Sequence, residues 1–434
     1  MSEPMIGLLG IVVLMALLSL RMPIAFALAL VGFAGFALIV DLGGALTNLR
    51  LVPWRYIADY NLAVLPLFIL MGSITANTGV TQDLYGSAYT WVGQFRGGLA
   101  MATIMATGAF GAVCGLSLAA VATFGRIVKP EMERYNYDPK LAAGSVAAGS
   151  TLTSLIPPSL PFIIYGILAE QSIGRLFIAG IFPGITEIIF YFVVIYIICR
   201  RNPQMGPAGP KTSLKAKLAS LKKAWATLAL FVLVMGGIYM GIFTPTEAGG
   251  IGAFGAIVIS LIQRRLTVQG FINSIGETAR ITAMALLIFI GAMLFSRFIA
   301  VSQLPFMLSE MISNLAIPDL AVIVVILIIY LFLGCFFDII TTLVLTLPIL
   351  FPVIEAMGFD PIWYGVLMVR IIEIGVISPP FGLDCFVVAG AMNVRVGTVF
   401  RGVIPFVIAD LFNVALLLAI PQISLFLPNM MLRL

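Results

Sequence analysis

A chain of 434 residues that is 61% hydrophobic and only 10% charged, with a mean hydropathy of +1.13, belongs in a membrane; soluble domains carry about 25% charged residues. The net charge of +5 comes from basic residues lying between apolar runs, so it reads as a topology signal and argues against a nucleic-acid partner. With no histidine and no GxxxxGK[ST] loop, the sequence excludes a Ser-His-Asp triad, an HExxH zinc site and an ATPase motor.

Continuous apolar runs, rather than period-two alternation, predict an all-α polytopic protein and not a barrel. Residues 5–20 have no basic region before them and no clear cleavage site, and are expected as a retained first helix paired with 23–40. An amphipathic segment at 41–60 carries Trp54, Tyr56 and Tyr60, side chains suited to the membrane interface, and 61–76 is the next span. Residues 97–125 are apolar but crowded with small residues around Cys114-Gly115-Leu116-Ser117. That pattern predicts two half-helices meeting at a tip, a re-entrant hairpin. Residues 141–169 read as a helix broken at Ser154-Leu155-Ile156-Pro157-Pro158-Ser159, and 176–199 closes the first half.

Residues 200–223 hold seven basic residues and no acid, and 211–223 has the pattern of an amphipathic surface helix. The chain is therefore expected to divide at a basic linker, 200–224, into a first repeat at 1–199 and a second at 225–434. The second half has spans at 225–243, 249–262 and 281–300, then a hairpin at 320–356 with its tip near Gly334-Cys335-Phe336-Phe337-Asp338. A helix at 362–392, broken at Ile377-Ser378-Pro379-Pro380-Phe381-Gly382, and a span at 403–427 complete it. Cys114, Cys199, Cys335 and Cys385 lack CxxC spacing and read as small buried hydrophobes.

Proline has no amide hydrogen and clashes with the preceding turn, so two in a row end a helix. Inside hydrocarbon the freed backbone groups need protein, water, an ion or a substrate. One such break per half is the pattern of a secondary transporter built from repeats. Charge placement predicts that the repeats are inverted. Arg96, Arg126, Lys129, Arg134 and Lys140 flank the first hairpin, whereas residues 298–369 contain no Lys or Arg and carry Glu310, Asp319, Asp338, Glu355 and Asp360. By the positive-inside rule the first hairpin and the linker face the cytoplasm and the second hairpin enters from the other side.

Helix C-terminal carbonyls suit a small hard cation such as sodium, and helix N-termini suit an anionic group. The candidate cation ligands are Gly115, Ser117, Ser154 and Pro157 in the first cluster. In the second they are Gly334, Asp338, Thr341, Thr342, Ser378 and Pro379. Candidate substrate contacts are Ser159, Asp338, Ser378 and Arg297. The competing reading is that Ser and Thr only bond their own helices. Asp338 is more specific, because a carboxylate in an apolar run costs about 2.5–3.5 kcal/mol to insert and should face a partner or cavity. Arg297 is either a bidentate contact for a substrate carboxylate or an arginine snorkelling to the interface. Arg370 and Glu373, three apart, are expected to pair on one helix face. Glu247 is expected as a first-turn charge after Thr244.

The ordered set Pro66-Leu67-Phe68-Ile69-Leu70-Met71-Gly72, Leu155-Ile156-Pro157-Pro158-Ser159, Leu176-Phe177-Ile178-Ala179-Gly180, Thr244-Pro245-Thr246-Glu247-Ala248 and Glu373-Ile374-Gly375 through Pro379-Pro380-Phe381-Gly382 resembles the large membrane subunit of TRAP transporters, the DctM-like family. The resemblance runs over residues 5–428. It implies an inverted-repeat fold of the ion-transporter superfamily with an elevator-type transport domain and a scaffold. It also implies sodium-driven uptake of an organic acid across the bacterial inner membrane, with no cofactor beyond the coupling ions. The implied partners are a periplasmic substrate-binding protein and a small four-helix membrane subunit, besides the lipid bilayer. Where the family commonly has Ser-Gly-Ser-Ser this chain has Cys114-Gly115-Leu116-Ser117, and Ser154 stands where a Gly usually precedes Leu-Ile-Pro-Pro. Both differences bear on side-chain ligation at the first cation site. The rival readings are a carrier or antiporter of the same superfamily that needs no binding protein, and an intramembrane enzyme using Asp338 with Asp384.

Overall fold

Capping residues and prolines decide where the helices begin. Asp138 and Asp360 each precede a proline, and their carboxylates accept from the amides of Lys140 at 2.7 Å and Ile362 at 2.8 Å. Thr244 and Glu247 form a reciprocal capping box, the Thr244 amide donating to the Glu247 carboxylate at 2.8 Å. The first-turn charge expected at Glu247 is thus also a cap.

The computed structural model describes residues 2–115, 117–314 and 317–431, and among these the regular structure is entirely helical. The chain opens with α1 (Glu3–Ser19), α2 (Ile24–Ile39) and amphipathic α3 (Leu42–Ile57), then a 3-10 turn at Tyr60–Ala63 running into α4 (Val64–Asn77), and α5 (Val80–Val92). The pair α6 (Gly98–Cys114) and α7 (Ser117–Arg134) precedes α8 (Pro139–Leu155), α9 (Leu160–Leu168) and α10 (Ile173–Arg201). Then come α11 (Leu214–Tyr239), α12 (Pro245–Ile262), α13 (Val268–Val301) and α14 (Leu304–Asn314). The second pair is α15 (Asp319–Phe336) and α16 (Ile339–Ala356), followed by α17 (Pro361–Ile377), α18 (Leu383–Met392), α19 (Val396–Ala419) and α20 (Gln422–Met431). Among the described residues eight helices are long and apolar enough to cross a membrane, or nine if the bent pair α8–α9 is one span.

Several boundaries differ from the sequence expectation for local reasons. The amphipathic stretch at 211–223 is no separate surface helix: α11 starts at Leu214 and runs without a break into the following span. The span expected at 403–427 is two helices, because Pro421 stops α19. The α13 helix begins 13 residues before the expected 281, its first turns being polar with Gln269, Asn273 and Glu277. The helices α5 and α14 fall in stretches whose polar residues hid them.

The residues between α10 and α11 are stitched to two neighbouring loops. The Gly97 amide donates to the Gly206 carbonyl at 2.8 Å, Gly209 to Gly93 at 2.8 Å and Asp138 to Met205 at 3.0 Å. The Tyr137 hydroxyl donates to the Pro207 carbonyl at 2.8 Å, and burial in this loop pushes its pKa up to about 12.

At the centre lie α8 and α17. Every residue from Leu141 to Leu155 and from Ile362 to Ile377 is buried, so both helices are enclosed by protein all round. They pack on each other, with α6, α7 and α19 against α8 and α15, α16 and α19 against α17. The outer helices interleave the two halves: α11 lies along α5, α12 along α4 and α13 along α2. The α15–α17 crossing is backbone to backbone at Gly334 and Gly375. A Cβ on Gly375 would sit 2.6 Å from the Leu331 carbonyl oxygen and 2.7 Å from the Gly334 backbone, which no side chain tolerates. Gly375→Val is expected to cost about 1–3 kcal/mol, read as a lowered Tm in detergent. Gly390→Val, where a Cβ meets open space, should leave the Tm unchanged.

Candidate functional site

Both breaks fall where a helix must stop, and both are closed in the same way. α8 ends at Leu155, Ile156 is extended, and the Pro157-Pro158 peptide is cis; α9 leaves at 41° to α8. The Leu160 amide, the first of α9, donates to the Gly115 carbonyl at the end of α6, at 3.3 Å. In the second half α17 ends at Ile377, the Pro379-Pro380 peptide is cis, and Gly382 takes a left-handed φ of +50°. Its amide donates to the Cys335 carbonyl at the end of α15, at 3.2 Å. Each break is therefore tied to the turn of the helix pair before it. Gly115 makes its turn with a left-handed φ of +67°, a conformation that glycine adopts without strain. Leu116 lies outside the described residues.

These four elements surround a cavity of about 50 Å³, room for a few water-sized groups. Its polar lining comes from both halves: Gly115, Ser117 and Ser154 from the first, Asp338 and Asp384 from the second. No basic side chain lines it. Carbonyl-bearing C-termini of α6, α8 and α17 meet N-termini of α7, α9, α16 and α18 around this point. An ion and an anionic group can both be met by such an arrangement.

Of the residues singled out in the sequence, Gly115, Ser117, Ser154, Asp338 and Asp384 reach this cavity. Asp338 starts α16: one oxygen accepts from the amides of Ile340 at 3.1 Å and Thr341 at 3.3 Å, and the other accepts a short bond from the Thr341 hydroxyl. Thr342 and Ser378 bond backwards within their own helices, to the carbonyls of Asp338 at 3.0 Å and Ile374 at 2.6 Å. Ser159 caps α9, accepting from the Phe162 amide at 3.3 Å and donating to the Ser154 carbonyl. The Pro379 carbonyl accepts from the Cys335 thiol at 3.6 Å. Pro157 and Gly334 are placed within the first break and at the α15–α17 crossing. Arg297 stands apart, donating to the side-chain oxygen of Asn48 on α3.

The expected Arg370–Glu373 pair is replaced by longer-range partners. Arg370 forks to Glu187 on α10, at 3.0 Å, and to Asp410 on α19, all three side chains fully enclosed. Thr151 donates to Glu187 at 2.8 Å and lies 3.0 Å from the Tyr191 hydroxyl. Glu373 instead adjoins Ser154 and Asp384. One Asp384 oxygen accepts from Ser150 at 3.2 Å and the other has no hydrogen-bond partner among the described residues. Four carboxylates, Glu187, Glu373, Asp384 and Asp410, are thus buried with Arg370 as the one buried basic side chain among the described residues. Glu187 and Asp410 carried the signal that marked Asp338, a lone acid in an apolar run.

Removing Arg370 strands two carboxylates. Arg370→Met is expected to destabilise the protein by about 3–5 kcal/mol, and adding Glu187→Gln and Asp410→Asn should recover most of it. Thermal unfolding in detergent compares the three proteins.

Residues 11–423 match the family described as tripartite ATP-independent periplasmic transporter, DctM component. The chain is 33% identical over 419 residues to the sialic acid TRAP transporter large permease protein SiaM of Vibrio cholerae, covering 96% of this chain and 97% of that one. It is 35% identical over 401 residues to the C4-dicarboxylate TRAP transporter large permease protein DctM of Pseudomonas aeruginosa, covering 90% and 93%. Among solved structures, the YdaH transporter of Alcanivorax borkumensis superposes with a TM-score of 0.55 at 13% identity, over 85% of this chain and 88% of that one, a likeness of fold alone. A family match over almost the whole chain, on a bundle of membrane-length helices, means that this chain belongs to the DctM family: it is a multi-pass inner-membrane permease component of a tripartite ATP-independent periplasmic transporter, and not an enzyme.

Proposed function

We propose that this permease carries out sodium-driven uptake of a small organic acid, received from a periplasmic substrate-binding protein, with a small four-helix membrane subunit as its membrane partner. The observation that carries the reading is the cavity at Ser154 and Asp338, which draws oxygen ligands and helix ends from both halves and has no basic side chain in its lining. Among the described residues no group of three or more His, Cys, Asp or Glu side chains is arranged to hold a metal. The oxygen groups that line the cavity, hydroxyls and carboxylates beside helix-end carbonyls, suit a hard cation such as sodium. Two relatives are named for sialic acid and for C4-dicarboxylates, both organic acids.

In this reading residues 1–199 and 225–434 are inverted repeats joined by the cytoplasmic linker 200–224. The pairs α6–α7 and α15–α16 are re-entrant hairpins. With the broken helices α8–α9 and α17–α18 they move as one body, elevator fashion, past a scaffold of the remaining helices. The first cation site uses Gly115, Ser117, Ser154 and Pro157. The second uses Gly334, Asp338, Thr341, Thr342, Ser378 and Pro379, with Ser159, Asp338 and Ser378 also meeting substrate. Coupling follows if ion and substrate together bind one conformation better than the other. Arg297, tied to Asn48 outside the cavity, braces α13 on α3 in this state; a contact with substrate carboxylate belongs to another state of the cycle.

Proteoliposomes containing the chain and its partner proteins should accumulate an acidic substrate with an inward sodium gradient and not with potassium. Uptake indifferent to sodium overturns the coupling, and uptake by this chain alone would assign a carrier that needs no binding protein. Asp338→Asn is a sharp second test, because asparagine still caps a helix while the charge is gone. It should insert normally yet lose about tenfold or more in apparent sodium affinity; unchanged sodium dependence removes Asp338 from the site.

A further inference from the structure

A basic cavity lies away from the site just described. It measures about 510 Å³ and opens between the start of α8, the end of α10 and the first turns of α19. Three cations line it, Lys140, Arg201 and Arg401, one from each helix, and no acid does. None of the three forms an ion pair among the described residues. A trio of this kind lining one space attracts an anion.

The rest of the wall has different chemistry. Val194, Ile197 and Ile198 of α10 and Pro405 and Ile408 of α19 continue the cavity along two membrane-spanning helices. Ile197 is 44% exposed and Ile408 51% exposed, so this wall opens sideways toward lipid. A soluble anion gains nothing from such a wall; a molecule with an anionic head and a hydrocarbon tail meets both parts. Asn202 and Met205, also in the lining, belong to the basic segment stitched to the neighbouring loops, which fixes the polar end of the cavity at that membrane face.

We propose that this cavity is a binding site for an anionic phospholipid, with its phosphate among Lys140, Arg201 and Arg401 and an acyl chain along Ile197 and Ile408. Basic pockets between membrane helices are suited to such headgroups, and each nearby cation contributes measurably to the attraction. The acyl chain then covers apolar side chains that otherwise bound an open space.

The test is native mass spectrometry of the full chain incubated with an equimolar mixture of phosphatidylglycerol and phosphatidylethanolamine. The wild-type protein should retain phosphatidylglycerol preferentially. Lys140→Gln, Arg201→Gln and Arg401→Gln should each reduce that retention about fivefold, and Arg126→Gln, outside the cavity, should not. Ile197→Trp keeps all three charges while obstructing the tail's path, and should also release the lipid; it keeps the idea falsifiable if the charge variants fold poorly. Equal retention of both lipids, preference surviving all three neutralisations, or full retention by Ile197→Trp each overturn the proposal. So does displacement of phosphatidylglycerol by inorganic phosphate at comparable concentration, which would mark a site for soluble anions.

Discussion

Each proline break leaves the following helix with an amide that hydrocarbon cannot satisfy, and in both halves that amide is taken by the carbonyl at the turn of the preceding helix pair. Leu160 to Gly115 and Gly382 to Cys335 are the same device built twice. It fixes each turn against its break, and so decides that Ser117, Ser154, Asp338 and Asp384 converge on one small space. The enclosure of α8 and α17 follows from the same constraint. Helices that stop inside a bundle must be covered along their whole length, and here every neighbour is protein.

The core so formed is short of positive charge. Arg370 answers Glu187 and Asp410, an arrangement in which each member holds the others through partners on three different helices. Glu373 and Asp384 form no ion pair among the described residues; Glu373 lies beside Ser154, and Asp384 lines the cavity. The division is physical: one carboxyl pair locks α10, α17 and α19 together, while the other has no basic partner and Asp384 borders a space that admits a small guest.

Much of this was legible in the sequence, because membrane insertion makes every exception costly and therefore visible. Pro157-Pro158 and Pro379-Pro380 showed where helices stop, and Asp338 stood out against its apolar flanks. The ordered motifs carried the family. What stayed hidden depends on contacts between distant segments. Spacing pointed Arg370 at Glu373, three residues along, whereas its fork reaches Glu187 and Asp410 on other helices. Arg297 read as a substrate contact or a snorkelling arginine, and its bond to Asn48, far away in sequence, came into view only with the fold. The polar first turns of α13 and the short α5 lacked the apolar runs on which span detection relies.

The interleaving of the halves also bears on how the protein is made. Since α2, α4 and α5 are covered by α13, α12 and α11, the earliest segments leave the ribosome long before the surfaces that will shield them exist. During synthesis those faces rest against lipid, with a small residue such as Gly32 turned toward acyl chains. Final assembly is therefore a lateral docking within the bilayer that waits for residue 301 to emerge, and a chain truncated earlier leaves the faces that α11, α12 and α13 would cover without those partners.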